Sequence, residues 1–347
     1  MFFFVVISLN SCIFVQFCLL YCSCKYIKMG KNYSADSPMT LKDRTLYAIL
    51  YGLSYILSLL PFTVLYLFSD FIYFIVYHCI KYRIQIVRKN LLKSFPEKTD
   101  AERLQIERKF YHFFCDYIFE TIKLTSISRE KIKQHVKYVG LNHIYDALKE
   151  GHSVALYLAH YCNWEWITSI GLYMPNDILG GQIYHVLESK AFDTLMLTIR
   201  SRMGTVNIPR FEAFRTMAKE YKKGRKMVIG FISDQAPEMH TIHHWVNFLN
   251  HDTAVITGTE TIAKKLDFAC VYFDIECKRR GYYVVNIIPL TMNSADYKDY
   301  EITEMYFKEL EKTIRRQPEK WLWTHNRWKR TRKQYEDYIL NHPNILR

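Results

Sequence analysis

The stretch SVALYLAHYCNWEWITSIGLYM, residues 153–174, combines an apolar strand with a histidine and an acidic residue. Residues 154–158 form a continuous apolar run, which is typical of a fully buried strand. His160 follows this run, and Glu165 comes five residues later at the start of a second apolar run. The order of strand, polar turn and helix indicates an α/β unit.

The spacing of His160 and Glu165 decides whether they can meet. On one continuous helix, five residues turn the chain by about 500°, which would point the two side chains in different directions. They can meet if His160 ends the strand and Asn163 caps a helix that starts at Trp164. Glu165 then lies in the first helical turn, where the helix dipole favours its ionised form. We therefore expect Glu165 to accept a hydrogen bond from one ring nitrogen of His160, which leaves the other as a base for acyl transfer.

Two other interpretations of this stretch remain open from the residues alone. The first is a buried histidine with satisfied hydrogen bonds, beside a glutamate that only stabilises a helix N-terminus. The second is a Cys–His nucleophile that uses Cys162, although nothing in the sequence marks its thiol as activated.

Strands and helices alternate around this unit. The sequence predicts helices at 101–125, 165–173, 192–202 and 259–266, and strands at 154–158, 227–232, 269–277 and 282–288. The last two strands are joined by KRRG, in which Gly281 suits a turn, so they are expected to form an antiparallel hairpin. The predicted fold class is therefore α/β, with a mixed β-sheet flanked by helices.

Two uncharged stretches precede the α/β region. Residues 1–24 are uncharged and are followed by Lys25 and Lys28, the reverse of the order in a secretory signal. Because Met29 begins an ordinary polar N-terminus, residues 1–28 are a leader of doubtful status, consistent with a mis-called start. Residues 45–69 are also uncharged and contain Pro61. We expect a membrane segment there, spanning or re-entrant, with a soluble core helix as the alternative.

These features divide the chain into four parts. We expect a hydrophobic leader at 1–28, a membrane-associated helical segment at 29–95, an α/β domain at 96–335 and a C-terminal tail at 336–347.

The charge balance favours anionic partners. Lys and Arg outnumber Asp and Glu by 47 to 34, a formal net charge of +13, which suits lipid headgroups, nucleic acid or an acidic carrier protein. The sequence contains neither a Gly-rich phosphate loop nor a recognisable nucleic-acid-binding motif, so neither nucleotide nor nucleic acid is expected. The nine cysteines lack zinc-site spacing. His240, His243, His244 and His251 are interpreted as loop histidines, and no metal is expected.

Several sequence blocks resemble one known family. The blocks are AHYCNWEW (159–166), QIYHVLESKAFDTLMLTIRSRMG (182–204), FISDQAP (231–237), VITGTETIAKK (255–265) and PEKWLWTHNRWK (318–329). Together they resemble the lipid A late acyltransferases of the lysophospholipid acyltransferase superfamily, over residues 41–330.

The resemblance implies a fold and a set of site residues. The fold is a glycerol-3-phosphate acyltransferase-like core that uses no metal and no other cofactor. His160 would be the general base and Glu165 its orienting acid. Substrate-binding roles are implied for Asn163, Tyr184, His185, Asp193, Arg200, Arg202, Asp234, Gln235 and Arg327.

The resemblance also implies an activity and a location. A membrane-associated O-acyltransferase would move a fatty acyl chain from acyl carrier protein to a hydroxyl of a lipid A precursor. It would act at the inner membrane of a Gram-negative cell, with its catalytic domain facing the cytoplasm. His185 stands where the family usually has Arg or Lys, which leaves open a lysophospholipid or an amino-acid-linked lipid as acceptor. A non-enzymatic basic protein that binds membranes or nucleic acid is a further alternative, and its binding would survive His160→Ala.

Overall fold

The computed structural model describes residues 38–342. The expected leader at 1–28 and the end of the expected tail lie outside the described residues. The helices are α1 (Leu41–Leu59), α2 (Phe62–Phe74), α3 (Ile84–Ser94), α4 (Asp100–Lys123), α5 (Arg129–His135), α6 (Asn142–Lys149), α7 (Lys190–Ser201), α8 (Ala213–Lys222), α9 (Gly258–Lys265), α10 (Glu301–Arg316) and α11 (Arg332–Asn341). The strands are β1 (Val136–Val139), β2 (Ser153–Leu158), β3 (Leu179–Tyr184), β4 (Val206–Pro209), β5 (Met227–Ile232), β6 (His244–Phe248), β7 (His251–Val255), β8 (Phe268–Arg279) and β9 (Tyr282–Thr291).

Seven of these strands form one sheet in the order β1-β9-β8-β2-β5-β3-β4. β8, β2, β5, β3 and β4 run parallel, whereas β9 is antiparallel to β8, and β1 runs parallel to β9. All six residues of β2 are buried, which explains its uninterrupted apolar sequence. Gly281, at φ +73°, lies in the turn that joins β8 to β9. The predicted mixed α/β fold and its antiparallel hairpin are therefore confirmed.

Some elements differ from the sequence-based prediction. The helix expected at 165–173 is a 3-10 helix at Trp166–Tyr173. β1 and β4 were not predicted because they have only four residues each. β3 was not predicted because Gly180 and Gly181 interrupt its apolar pattern. His244 and His251 are not loop residues as expected, since they lie in the antiparallel pair β6 and β7.

Pro61 divides the uncharged stretch that the sequence predicts as one membrane segment at 45–69. α1 ends at Leu59 and α2 begins at Phe62, because proline has no N–H to continue a helix but suits its start. α2 continues as a π-helix at Ile75–Ile80. Among residues 38–342, Phe62–Ile80 is the one helix that is long and apolar enough to cross a membrane. The candidate membrane segment therefore lies later in the chain than predicted.

α4 links the N-terminal helices to the sheet. A capping box starts it, in which Thr99 and Glu102 exchange hydrogen bonds. Most of its side chains from Phe110 to Lys123 are buried. It packs against α2, and Glu120 on its last turns reaches Tyr283 of β9.

Candidate active site

The register of two central strands brings a histidine and an aspartate together. In the parallel pair of β2 and β5, Leu158 lies opposite Ile232. His160 and Asp234 each follow these residues by two positions, so they lie side by side at the carboxyl edge of the sheet. Open α/β sheets bind their ligands at this edge. The sequence predicts both as site residues but does not indicate that they pair.

Asp234 fixes the orientation and the tautomer of His160. The backbone N–H of His160 donates to Asp234 Oδ2 at 3.0 Å, and ring Nδ1 lies 2.6 Å from Oδ1. An ionised carboxylate only accepts hydrogen bonds, so Nδ1 carries the proton and Nε2 keeps a lone pair. The Gln235 amide nitrogen lies 3.2 Å from Nε2 and donates to it. Because the His160 side chain remains 20% exposed, Nε2 can act as a base toward an incoming hydroxyl.

The surroundings of Asp234 keep it ionised. Burial alone would raise the pKa of this carboxyl. The electrostatic interaction with His160 and hydrogen bonds from His160 and Trp321 outweigh burial and hold the pKa below its usual range. Trp321 Nε1 donates to Asp234 Oδ2 at 2.8 Å. The carboxylate is therefore charged at neutral pH and can stabilise an imidazolium.

The C-terminal block completes this edge of the sheet. Tyr161 and Trp321 form an antiparallel bridge, and Leu322 N donates to the His160 carbonyl at 3.1 Å. Ala236 N donates to His325 Nε2 at 3.3 Å, and burial lowers the pKa of His325 to about 3, which keeps its ring neutral. Sequence reasoning missed the roles of Trp321 and His325, although both lie in the C-terminal block that carries the family resemblance.

Glu165 binds Arg200, whereas Asp234 holds Nδ1 of His160. Glu165 receives a two-pronged ion pair from Arg200 of α7, with Nε to Oε2 at 2.7 Å and Nη2 to Oε1 at 2.6 Å. The N–H of the His160 ring at Nδ1 points at Asp234. The predicted hydrogen bond from His160 to Glu165 is therefore not confirmed, and Asp234 is the carboxylate that binds Nδ1. The physical reason is that residues 161–165 form a tight turn into a 3-10 helix, not the start of an α-helix.

The turn itself is held by several contacts. Cys162 adopts φ +50°, and Asn163 Oδ1 accepts from Trp166 N at 3.2 Å. Asn163 therefore binds the start of the helix, but the helix begins at Trp166 and not at Trp164 as predicted. The Trp164 ring meets His160 edge-on at 5.1 Å and stacks on Tyr117 at 4.0 Å. Burial raises the pKa of Cys162 well above its usual value. Its thiol therefore stays protonated, which disfavours the Cys–His alternative.

A second group of the predicted residues lies around the start of α7. Tyr184 ends β3, where burial raises its pKa to about 12, and it interacts electrostatically with Asp193 and Arg200. Asp193 is buried and accepts from Leu187 N at 2.9 Å, which fixes the preceding loop. His185 is exposed, and its Nδ1 lies 2.8 Å from the neighbouring carbonyl of Val186.

The two remaining predicted residues bind backbone carbonyls. Arg202 Nη1 donates to Leu124 O at 2.6 Å, at the C-terminus of α4. Arg327 is buried and donates to Ala254 O at 2.8 Å, and it interacts electrostatically with His325. Arg202 therefore stabilises the C-terminus of α4, and Arg327 binds strand β7.

One cluster within residues 38–342 has potential metal ligands close together. Donor atoms of Asp70, His112 and Asp116 lie within 4.8 Å of one another. Arg280 Nη2 lies 2.5 Å from one oxygen of each carboxylate. Because a guanidinium group already compensates their charge, this cluster fits an ion-pair network between α2, α4 and the β8–β9 turn.

This fold and site match a known class of enzyme. A histidine base on an ionised aspartate, at the carboxyl edge of a mixed sheet, is the arrangement expected of an acyltransferase that activates its acceptor hydroxyl directly. A model of the bacterial lipid A biosynthesis acyltransferases matches residues 37–330. The chain belongs to this acyltransferase family, as the resemblance in its sequence predicts.

Two relatives show how far the similarity extends. The chain is similar to a lipid A biosynthesis lauroyltransferase of Escherichia coli, with 24% identity over 290 residues, which cover 80% of this chain and 89% of the relative. It is also similar to a lipid A biosynthesis acyltransferase of Haemophilus influenzae, with 24% identity over 250 residues, which cover 72% and 76% respectively.

Proposed function

We propose that this protein is a membrane-associated O-acyltransferase that moves a fatty acyl chain from acyl carrier protein to a hydroxyl of a lipid A precursor. The observation that carries this proposal is the hydrogen bond of His160 Nδ1 to ionised Asp234, on a side chain that remains 20% exposed. Family membership and the printed activities of the two relatives support the acceptor class.

The proposed reaction uses Nε2 of His160 as a general base. An acceptor hydroxyl takes the place of the Gln235 amide at Nε2 and gives up its proton as its oxygen attacks the thioester carbonyl. The new C–O bond forms and the C–S bond breaks. The imidazolium then returns the proton to the departing sulfur, so that the products are an ester and a thiol. Asp234 stabilises the imidazolium between these steps.

Charge complementarity supports the proposed partners. The net charge of +13 attracts both an acidic carrier protein and an anionic lipid headgroup, which speeds encounter and helps to hold the acceptor. Tyr184 and Asp193 interact electrostatically with Arg200, which binds Glu165 of the active-site turn. As the sequence resemblance implies, we propose that the acceptor binds beside this group.

The outer faces of α1 and α2 are proposed to contact the membrane. Large apolar side chains on one face of each helix are 40% exposed or more: Leu46, Ile49, Leu53, Ile56, Leu67, Phe71 and Phe74. A continuous exposed apolar face of this kind is typical of a membrane contact.

The inner face of α2 indicates how the helix lies. Ser69 donates to Asp116 at 2.6 Å, and Tyr77 donates to Glu107 at 2.8 Å, so α2 and its π-helical extension are docked along α4. If this helix crossed a bilayer, it would carry the carboxylates of α4 into hydrocarbon, which is costly. We infer that α2 lies along the cytoplasmic surface of the inner membrane, with the catalytic domain facing the cytoplasm.

The test is acyl transfer to lipid A by matched histidine variants. Cells that express the wild type should gain an acyl chain on lipid A by mass spectrometry, and cells that express His160→Ala should not. His152→Ala is the control, because His152 precedes the same strand β2 and pairs with Asp267, with Nδ1 3.2 Å from Oδ2. Unchanged lipid A with wild-type protein, or transfer that survives His160→Ala, would refute the proposal.

A second acceptor class is favoured by His185. This exposed imidazole stands where the family usually has Arg or Lys, and its Nδ1 lies 2.8 Å from the carbonyl oxygen of Val186. A lysophospholipid or an amino-acid-linked lipid would need less positive charge there. The same mass spectra distinguish these acceptors, because a changed aminolipid or phospholipid beside unchanged lipid A identifies the second class. If the protein binds without catalysis, neither lipid A nor the other lipids should change.

A further inference from the structure

Glu120 on α4 joins three separate elements through one buried carboxylate. It is 1% exposed. Tyr66 of α2 donates to its Oε1 at 2.9 Å. Asn163 of the active-site turn and Tyr283 of β9 donate to its Oε2 at 2.8 Å and 2.7 Å. A buried carboxylate is tolerated only when donors surround it, so the positions of these three donors depend on one another.

The active-site turn is attached to Glu120 at two points. Besides the bond from Asn163, Trp166 Nε1 donates to the Glu120 carbonyl oxygen at 2.8 Å. These two residues bracket Trp164 and Glu165. Trp164 meets the His160 ring edge-on, and Glu165 binds Arg200. The contacts of Glu120 therefore hold the turn on both sides of Trp164 and Glu165.

This turn needs external support. Cys162 adopts φ +50°, a left-handed conformation that is unfavourable for a non-glycine residue. Residues held in such conformations persist only when the surrounding structure fixes them. The two bonds to Glu120 supply part of that support.

We propose that Glu120 is a positioning residue for the acyl-transfer site, and that through Tyr66 it ties the turn at 161–166 to the membrane-facing helix α2. Its effect on turnover rests on the proposed function, whereas its effect on the His160 ring does not. The Glu120 side chain acts through Asn163, so its loss changes the geometry of the turn, whereas the bond from Trp166 to the backbone carbonyl remains. The chemistry of His160 and Asp234 stays in place.

The same helix provides a matched control. Glu107 is also a buried carboxylate of α4, and it accepts from Tyr77 of the π-helical extension at 2.8 Å and from Arg88. Tyr66→Phe and Tyr77→Phe therefore each remove one tyrosine hydroxyl from a buried glutamate on α4. Only the first of these glutamates also binds the active-site turn.

The kinetic test compares these two variants in the full chain, in detergent with acyl carrier protein donor and lipid acceptor. Tyr66→Phe should lower kcat about tenfold with little change in KM, because a small misplacement of reacting groups is costly. Tyr77→Phe should leave kcat unchanged, while both variants lose similar thermal stability. Glu120→Leu should lower kcat further. Glu120→Gln should restore most of it, since the amide oxygen still accepts from Asn163 and Tyr283 and the Tyr66 hydroxyl can turn to accept.

A readout without substrate separates this inference from the proposed function. The ring signals of His160 are followed by NMR in histidine-labelled full chain, and His160→Ala identifies them. Tyr66→Phe should shift these signals and Tyr77→Phe should not. If the wild type transfers no acyl chain but these shifts occur, the proposed function fails and the positioning role stands. Equal kcat losses in the two tyrosine variants, or unchanged His160 signals in Tyr66→Phe, would overturn the positioning role.

Discussion

At the scale of single residues, the proton on Nδ1 of His160 determines what the site can do. Asp234 accepts that proton in a hydrogen bond of 2.6 Å, and Trp321 and the His160 backbone hold the same carboxylate. This leaves Nε2 as the basic nitrogen. The two carboxylates near the turn therefore have different partners, since Asp234 binds Nδ1 of His160 and Glu165 binds Arg200.

Asp234→Asn should reduce kcat by about 10²–10⁴-fold, the range typical of lost general-base catalysis. The amide can present an N–H to His160 and favour the wrong tautomer, with the proton on Nε2. Initial rates at saturating donor and acceptor measure the effect. Asp267→Asn is the control, because Asp267 pairs with His152 just before β2 begins. Similar kcat losses in the two variants would argue against a catalytic role for Asp234.

Glu165→Ala should destabilise the fold by about 3–5 kcal/mol, because it leaves the Arg200 guanidinium partly buried without its two-pronged partner. Activity should fall as well, since Arg200 then leaves its place beside Tyr184. Urea unfolding measures the loss of stability. The double variant Glu165→Leu with Arg200→Met should recover much of it, because replacing both charges with apolar groups removes the uncompensated charge. A single variant as stable as the wild type would contradict this account.

Glu120 should make the stability of the fold depend on pH. Burial raises its pKa to about 7, the charge of Asp116 adds to the rise, and hydrogen bonds from Asn163, Tyr283 and Tyr66 oppose it. The unfolded-state pKa is about 4.3. The folded state therefore binds more protons between these values, so its contribution to stability falls as pH rises through this window and is constant above it.

The variant Glu120→Gln removes this titration. As the pH rises from about 4.5 to 7, the unfolding free energy of the wild type should fall relative to that of Glu120→Gln. Denaturant titrations at several pH values measure it. A difference that stays constant over this range would show that Glu120 titrates normally.

At the scale of elements, the strands with uniform apolar sequence were predictable and the details of the turn were not. β2 and β5 are buried runs, and the sequence predicts both. The pairing of His160 with Asp234 depends on which strands are neighbours and in which register, and this follows from tertiary packing. The spacing of Glu165 suggested a partner five residues away in sequence, but the 3-10 geometry directs its carboxylate to Arg200 of α7.

The β8–β9 turn contacts α2 closely, and this requires glycine at position 281. An added Cβ at Gly281 would overlap the Tyr66 hydroxyl, in a backbone at φ +73°. Gly224 has nearly the same backbone, at φ +72°, but nothing lies within 4 Å of an added Cβ.

Gly224→Ala should therefore cost only the backbone strain, about 1–2 kcal/mol, and Gly281→Ala should cost more because Tyr66 must leave Glu120. Urea unfolding of the two variants separates the cost of backbone strain from the cost of displacing Tyr66. If both glycine variants lose the same stability, the packing of the turn against Tyr66 is not tight.

At the scale of the whole molecule, we propose that a basic field and an apolar face act together at a membrane. The chain has 47 basic and 34 acidic residues. A net positive charge attracts anionic lipid, and each basic residue near the surface contributes about 1 kcal/mol of binding free energy. Ile49 and Phe71 on the outer faces of α1 and α2 are each 54% exposed. Inserting such side chains into the interface adds an attraction that salt does not screen.

The manner of membrane attachment can be tested with a charged pair of substitutions. Ile49→Lys with Phe71→Lys should weaken binding to vesicles of phosphatidylethanolamine and phosphatidylglycerol by tenfold or more, because each buried side chain contributes about 1.5–3 kcal/mol. It should also release the protein from cell membranes into alkaline carbonate. A helix that crossed the bilayer would stay in the membrane pellet despite two lysines, so retention would contradict attachment along the surface. Leu340→Lys is the control, since Leu340 is 80% exposed but lies on the C-terminal helix α11. Its vesicle binding should equal that of the wild type, because we propose that the apolar groups on the α1 and α2 faces are the ones that enter the lipid.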